Sequence, residues 1–157
     1  MIARLLITVA VMAGAAAGGT KPAIAKADGK AVPFHASYSG YLDTQSAATF
    51  QYKNFRGTAT VLGKSTFAAT AKYGERFGEG SGCFLEAGVG TLAAKSGTTL
   101  RFAYAFRGCE ASVSTAPIAG NYLIYDGKKK LAGAQGSGKY TVSPNGIVTF
   151  NGTLVAR

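Results

Sequence analysis

Two apolar, alternating segments around a short turn constrain the fold of this chain most strongly. Cys83–Ala94 and Thr98–Cys109 flank Lys95-Ser96-Gly97, and turn residues between two strand-like segments are typical of a β-hairpin. A turn centred on Ser96 places glycines of the first segment opposite aromatic residues of the second, which is the small-against-large packing that a tight core needs. The opposed pairs are Leu92 with Leu100, Gly90 with Phe102, Gly88 with Tyr104, and Glu86 with Phe106.

The same register brings the two cysteines of the sequence together. Cys83 falls opposite Cys109, and opposed Cα atoms in an antiparallel pair can lie about 4.5 Å apart, within reach of a disulfide. We predict a disulfide between them, because two cysteines in an exported chain usually pair. On the chain-entropy estimate, closing a ring of about 27 residues stabilises the fold by roughly 3–4 kcal/mol. A free, reactive thiol is the alternative.

The start of the chain has the pattern of an export signal. A short basic segment, Met1–Arg4, precedes an apolar stretch, Leu5–Ala17, that is too short to span a bilayer. Two overlapping small-residue cleavage sites follow at 23–25 and 25–27. We therefore predict a signal peptide over residues 1–27 and a periplasmic or secreted protein. Cleavage after Ala17 and an uncleaved N-terminal anchor are the alternatives.

The rest of the chain has the length of one domain. We assign 28–33 to a flexible leader and 34–157 to the domain. Removal of 1–27 takes three of the 17 basic residues and none of the 7 acidic ones, so the excess of positive charge falls from 10 to 7. This excess favours an anionic envelope surface, either lipid or polysaccharide, as a partner. Nucleic acid is not expected, and a role in solubility alone is the alternative.

Strand-like patterns fill this domain, and no amphipathic helix is found. Phe34–Leu42 alternates with a period of two, which indicates a strand. Tyr122–Val142 is predicted to be a hairpin that turns at Asp126-Gly127, and Gly74–Gly82 is predicted to be a loop. About eight short strands with glycine-rich corners predict an all-β fold, a single antiparallel β-barrel, because closure removes exposed edge strands. A membrane-spanning barrel is the structural alternative.

Glycine and small-residue motifs recur along the domain. They are Gly57-x-Ala59-x-x-Leu62-Gly63-Lys64-x-Thr66, Gly90-Thr91-Leu92, Gly97-Thr98-x-Leu100, Leu131-Ala132-Gly133-Ala134-x-Gly136-x-Gly138 and Phe150-x-Gly152-Thr153-Leu154. They cover most of residues 34–156, and the chain resembles the allene oxide cyclase barrel-like family, a relative of the dirigent barrels, in a bacterial exported form. The resemblance implies a barrel with an internal cavity, trimers in some members and cofactor-free isomerase or cyclase chemistry. Fold likeness alone does not carry a reaction across.

Glu86 is the acidic residue that we single out as a catalytic candidate. In the predicted hairpin it shares a face with Phe102, Tyr104 and Phe106. A carboxyl group beside aromatic rings has a raised pKa, and it would protonate or steer a carbocation-like or epoxide substrate. The alternative is a solvated Glu86 near a strand end, paired with Arg107.

Other candidate residues are tyrosines and lysines. Tyrosine hydroxyls would line a cavity for a mostly apolar ligand, and ordinary core packing is the alternative for each of Tyr38, Tyr104, Tyr122 and Tyr140. Lys128, Lys129 and Lys130 would form a basic tip that binds anions, or only a solvated turn. His35 is expected at the rim of the first strand. With one histidine and no close acidic pair, we predict no metal site and no cofactor.

Three functions follow from these candidates. The first is a non-catalytic module that binds a small apolar ligand or serves structurally in the cell envelope. The second is a cofactor-free isomerase or cyclase. The third is a basic protein that binds anionic lipid or polysaccharide. A homotrimer or homodimer is compatible with each of them.

Overall fold

The structure is a computed structural model that describes residues 29–46, 49–77, 82–109 and 116–156. Each strand is hydrogen-bonded to the next in chain order and the last pairs with the first, so the sheet closes into an antiparallel barrel. The strands are β1 (Ala31–Ser46), β2 (Thr49–Ala59), β3 (Gly63–Phe77), β4 (Cys83–Ala94), β5 (Thr99–Cys109), β6 (Ile118–Lys128), β7 (Gln135–Val142) and β8 (Ile147–Val155). The all-β, eight-stranded prediction is confirmed, whereas the predicted signal peptide over 1–27 lies outside the described residues.

The β4–β5 hairpin has the predicted register. All five expected pairs, from Cys83 with Cys109 to Leu92 with Leu100, lie opposite one another. The two cysteines form a disulfide with a Cα–Cα distance of 3.9 Å, so this prediction is confirmed. A disulfide is compatible with an exported protein. No helix among the described residues is both long enough and apolar enough to cross a membrane.

Glycine makes room for an inward-facing ring inside this hairpin. A Cβ atom added at Gly88 would lie 2.6 Å from the Tyr104 ring and 2.8 Å from the carbonyl oxygen of Thr70. Any side chain at position 88 would therefore displace the tyrosine or the backbone of β3. The interior therefore has room for the Tyr104 ring only because the opposite residue is glycine.

Aromatic side chains from opposite walls meet in the centre of the barrel. The ring of Phe67 on β3 lies 5.7 Å from Phe102 on β5 and 6.0 Å from Phe150 on β8. Phe150 lies 5.1 Å from both Phe102 and Tyr140. These separations are those of packed aromatic pairs. The described centre of the barrel is therefore occupied by rings in contact.

The predicted turn at Asp126-Gly127 is wrong. Both residues lie within β6, and the chain instead turns through the 3-10 segment Lys129–Leu131, with positive φ at Lys129 and Gly133 (58° and 71°). Pairing with β5 keeps β6 extended, at the cost of a bulge that leaves Tyr125 without an opposite residue. A β-bulge absorbs one extra residue without ending a strand.

Two boundaries also differ from the predictions. Residues 31–33, assigned to a flexible leader, belong to β1 and pair with β8 from Ala31 opposite Val155. β3 continues through Gly74 to Phe77, where a loop was expected. In both places a neighbouring strand supplies backbone partners that extend the ladder beyond the local pattern, since unpaired backbone groups are costly.

Candidate functional site

The antiparallel order brings alternate turns to the same end of the barrel. The β2–β3, β4–β5 and β6–β7 turns lie at one end, beside the start of β1 and the close of β8. Six exposed cations lie at or close to these turns, and we call this the basic end: Arg56, Lys64, Lys95, Lys128, Lys129 and Lys130. Of the acids whose side chains the structure describes, Asp126 is engaged by Arg101 at 3.9 Å, and Glu86 is buried. The basic end therefore carries a strong positive field.

One row of outward-facing residues crosses five strands near this end. Arg56 pairs with Thr66, Thr66 with Ala93, Ala93 with Thr99, and Thr99 with Lys128. Adjacent strands are about 4.8 Å apart, so the two cations that terminate the row are separated by roughly 19 Å around the wall. The three residues between them have short side chains, which leaves a depression in the barrel wall.

A groove of about 750 Å³ covers the β2–β4 part of this row. We call it the basic groove. Its cations are Arg56, Lys64 and Lys95, and its wall includes the Thr66 hydroxyl, which donates to the Ala93 carbonyl at 3.3 Å. Alanines 93 and 94 form part of its lining. The arrangement can bind anionic groups through charge-assisted hydrogen bonds, which are stronger than neutral ones.

The predicted basic tip, Lys128–Lys130, is exposed and continuous with this surface. The Lys129 ammonium group donates a hydrogen bond to the Ser96 carbonyl in the neighbouring β4–β5 turn. Lys129 also has positive φ, a conformation that costs a non-glycine residue roughly 1–2 kcal/mol. The bond to Ser96 helps to offset that cost and positions a cation beside Lys95.

Glu86 lies in the interior, towards the opposite end of β4. Its side chain is only 3% exposed, and its Oε1 atom accepts hydrogen bonds from the Tyr104 hydroxyl at 2.7 Å and the Tyr52 hydroxyl at 2.9 Å. Burial raises the pKa of Glu86 to about 7, although the two hydrogen bonds oppose the shift. The alternative of a solvated Glu86 is wrong, because alternation places it inside while Arg107 is exposed on the outer face.

Two of the four candidate tyrosines lie beside Glu86. The Tyr104 and Tyr140 rings stack at 4.4 Å, and burial raises the pKa of both. The Tyr140 hydroxyl lies close to the hydroxyls of Tyr52 and Tyr104. No described residue, however, is aligned to form a hydrogen bond with it. Tyr52 completes this cluster, and the sequence contained no signal for it because β2 and β4 are not adjacent strands.

The other candidates lie elsewhere. The Tyr38 hydroxyl is hydrogen-bonded to the Ser65 hydroxyl at 2.8 Å, and burial raises the pKa of Tyr38 to about 12. The Tyr122 ring packs against Phe150 at 5.2 Å, and no described residue partners its hydroxyl. His35 is exposed, and its Nδ1 atom lies 2.7 Å from the Asn151 amide oxygen. Phe102 belongs to the central ring packing.

Comparison of the chain with protein-family models, curated proteins and solved structures yields no match. The resemblance to the allene oxide cyclase barrel-like family therefore stays a prediction. The candidate sites are defined by their own geometry: a buried carboxyl–tyrosine cluster inside the barrel and a basic surface on its wall.

Proposed function

We propose that this protein is an exported, non-catalytic barrel that binds an anionic surface of the cell envelope through its basic end. One observation carries the proposal. Cations that are scattered along the sequence converge because three alternate hairpin turns meet at one end of the sheet. The shared ligand chemistry is a dense array of phosphate, carboxylate or sulfate groups.

The magnitude of the attraction fits a surface-binding role. Each Lys or Arg near an anionic surface contributes about 1 kcal/mol, and the attraction decays within a Debye length of about 8 Å at physiological salt. Six cations on one end therefore supply several kcal/mol at low salt, and most of this is lost at high salt. Reversible, salt-sensitive attachment is the expected behaviour.

The packed interior supports a scaffold role. Rings from β3, β5, β7 and β8 contact one another across the described centre, where an apolar ligand would need space. An internal apolar ligand and a homo-oligomer both stay predictions.

A cofactor-free isomerase or cyclase is the second candidate, and one observation favours it. Glu86 is buried, and its pKa of about 7 lets it hold a proton at neutral pH, which is the property a general acid needs. Native mass spectrometry of protein purified from its own host tests this candidate. A co-purified apolar molecule that the wild type converts and the Glu86→Gln variant does not would support it, and a protein that carries none would count against it.

Sedimentation with anionic vesicles and affinity for immobilised acidic polysaccharide, each at low and high salt, test the main proposal. The variant Lys128→Gln/Lys130→Gln removes two exposed cations of the basic end, and it leaves Lys129 in contact with Ser96. The matched control, Lys72→Gln/Lys139→Gln, removes the same charge from other parts of the wall. We expect the first variant to lose binding and the control to keep it. Equal losses would show that net charge alone is responsible, and this would refute the proposal.

A further inference from the structure

We propose that the basic groove is a binding site for an extended acidic polysaccharide, whose carboxylate or sulfate groups contact Arg56, Lys64 and Lys95. This inference rests on the proposed function and names both the site and the partner. It assigns binding to the wall of the barrel, beyond the exposed lysine tip that the sequence had indicated.

The position of the groove distinguishes a polymer from a flat membrane. Arg56 lies three residues before the end of β2 at Ala59, so its Cα atom is about 10 Å down the wall from the turn. A membrane that meets the end of the barrel touches the turns first, at Lys95 and Lys128–Lys130. A chain that lies along the wall reaches Arg56 and Thr66 as well.

The spacing of the cations fits a linear array of charges. Lys64 pairs across from Thr58, which is two residues from Arg56, so the two Cα atoms are separated by about 8 Å. Lys95 follows directly after Ala94, the partner of Ser65, which places it about 5 Å from Lys64 on the next strand. A single small anion would contact one or two of these cations, whereas a polymer contacts all three. Arg56 adds a planar fork that matches a carboxylate or sulfate bidentately.

A second groove on the same wall supplies surfaces that suit sugar rings. Its volume is about 320 Å³, and its lining includes Tyr125, Arg101, Thr91 and Gln51. The Tyr125 ring is 40% exposed and lies under the Arg101 guanidinium group, 5.4 Å from the ring centroid. An exposed aromatic ring with hydroxyl and amide groups nearby offers a sugar both an apolar face and hydrogen-bond partners. Thr91 and Ala93 lie on the same outer face of β4, two residues apart, so the two grooves adjoin.

The test is fluorescence anisotropy with a labelled linear polyuronate oligomer. The groove variant is Arg56→Gln/Lys64→Gln, the tip variant is Lys128→Gln/Lys130→Gln, and Lys72→Gln/Lys139→Gln is the charge-matched control. We expect the groove variant to weaken polyuronate binding about tenfold, the loss of two charge-assisted contacts, and the control to change it less than twofold. In vesicle sedimentation, the tip variant should lose more binding than the groove variant. Circular dichroism and retention of the Cys83–Cys109 disulfide confirm that each variant is folded.

The outcomes separate this inference from the proposed function. If the groove variant and the control bind polyuronate equally well while the tip variant loses binding, the groove is overturned and the basic end stands. Failure of the wild-type protein to bind vesicles, polyuronate or sulfated dextran overturns both. Binding of single-stranded DNA as tight as that of polyuronate, or of neutral dextran as tight as either, overturns the assignment to acidic polysaccharide.

Discussion

Replacing Glu86 with glutamine should remove most of the pH dependence of stability between pH 5 and 8. Glu86 is 3% exposed, and both of its described hydrogen-bond donors are tyrosine hydroxyls that reach Oε1. Ionising this carboxyl in the folded protein places a charge among aromatic rings, with no cation of the described residues beside it. A glutamine keeps the shape and the accepting oxygen but carries no charge.

The size and sign of the effect follow from the pKa of the carboxyl in the two states. Burial raises the pKa of Glu86 from 4.5 to about 7, so the folded state holds the proton more tightly than the unfolded state. Below pH 4.5 the group is protonated in both states and has no effect. Between pH 4.5 and 7 the unfolded state ionises first, and above pH 7 about 3 kcal/mol of the free energy of unfolding is lost, at about 1.4 kcal/mol per pH unit.

Glutamine brings its own cost, which does not depend on pH. Its amide brings two N–H groups that the carboxylate does not have, and a buried donor that is left unsatisfied costs about 1–3 kcal/mol. The variant should therefore be less stable than the wild type at pH 5 and of equal or greater stability at pH 8. The difference between the two proteins should change by about 2.5 kcal/mol across this range, because a small part of the loss has already occurred at pH 5.

Urea unfolding at several pH values, followed by circular dichroism, measures this difference. Asp126→Asn is the matched control, because it converts a partly exposed carboxyl that faces Arg101 and should show no comparable change. A constant offset between the Glu86→Gln variant and the wild type from pH 5 to 8 would refute the argument. Such a result would mean that Glu86 has the same proton affinity in the folded and unfolded states.

Three further predictions concern the interior and the hairpin. Replacing Cys83 and Cys109 together with alanine should lower the free energy of unfolding by roughly 3–4 kcal/mol in urea titration, because the loop of about 27 residues is no longer closed; an unchanged midpoint would contradict this. Gly88→Ala should lower the free energy of unfolding by about 1–3 kcal/mol in the same assay, because overpacking strains a core. The added Cβ atom would lie 2.6 Å from the Tyr104 ring. An unchanged free energy would mean that the ring is free to move. Tyr140→Phe removes a hydroxyl with no described partner and should be neutral or stabilising. Tyr104→Phe removes a hydrogen-bond donor to Glu86 and should cost about 1–3 kcal/mol at pH 8. Thermal melts in which Tyr140→Phe is the less stable variant would contradict these two hydrogen-bonding roles.

The sequence predicted the β4–β5 hairpin because its register needs only local information. Two segments of nearly equal length surround one turn, and the cysteines close the far end. The β6–β7 turn was not predicted because its position depends on pairing with another strand. Lysine has no preference for the positive φ that Lys129 adopts, and Asp126-Gly127 is a strong turn signal that pairing with β5 overrides.

The candidate sites were likewise predictable only where their residues belong to one hairpin. Glu86 and Tyr104 belong to one hairpin, so their shared face was visible in the sequence. Tyr52 reaches Glu86 from β2, two strands away, because the curvature of the barrel turns the inner faces of these strands towards each other. The basic groove was not predicted because Arg56 and Lys95 are far apart in the chain, and only the pairing of β2 and β4 with the two edges of β3 brings them onto one surface.

Because side chains alternate between the two faces of each strand, packing of the core and binding at the wall depend on different residues. The inward neighbours of Thr66, Ala93 and Thr99 are Phe67, Leu92 and Leu100, each essentially inaccessible to solvent, so this row of the wall lies over a fully buried part of the core. A close-packed interior restrains the strands above it, and this restraint fixes the spacing of the Cα atoms of Arg56 and Lys64, whose charged side chains stay exposed. Exposed Arg56 and Lys64 contribute little to this packing, and substitutions of such residues usually change stability by less than about 0.5 kcal/mol. A loss of polyuronate binding in the groove variant would therefore report the loss of ligand contacts, whereas the same loss after an interior substitution would report altered packing.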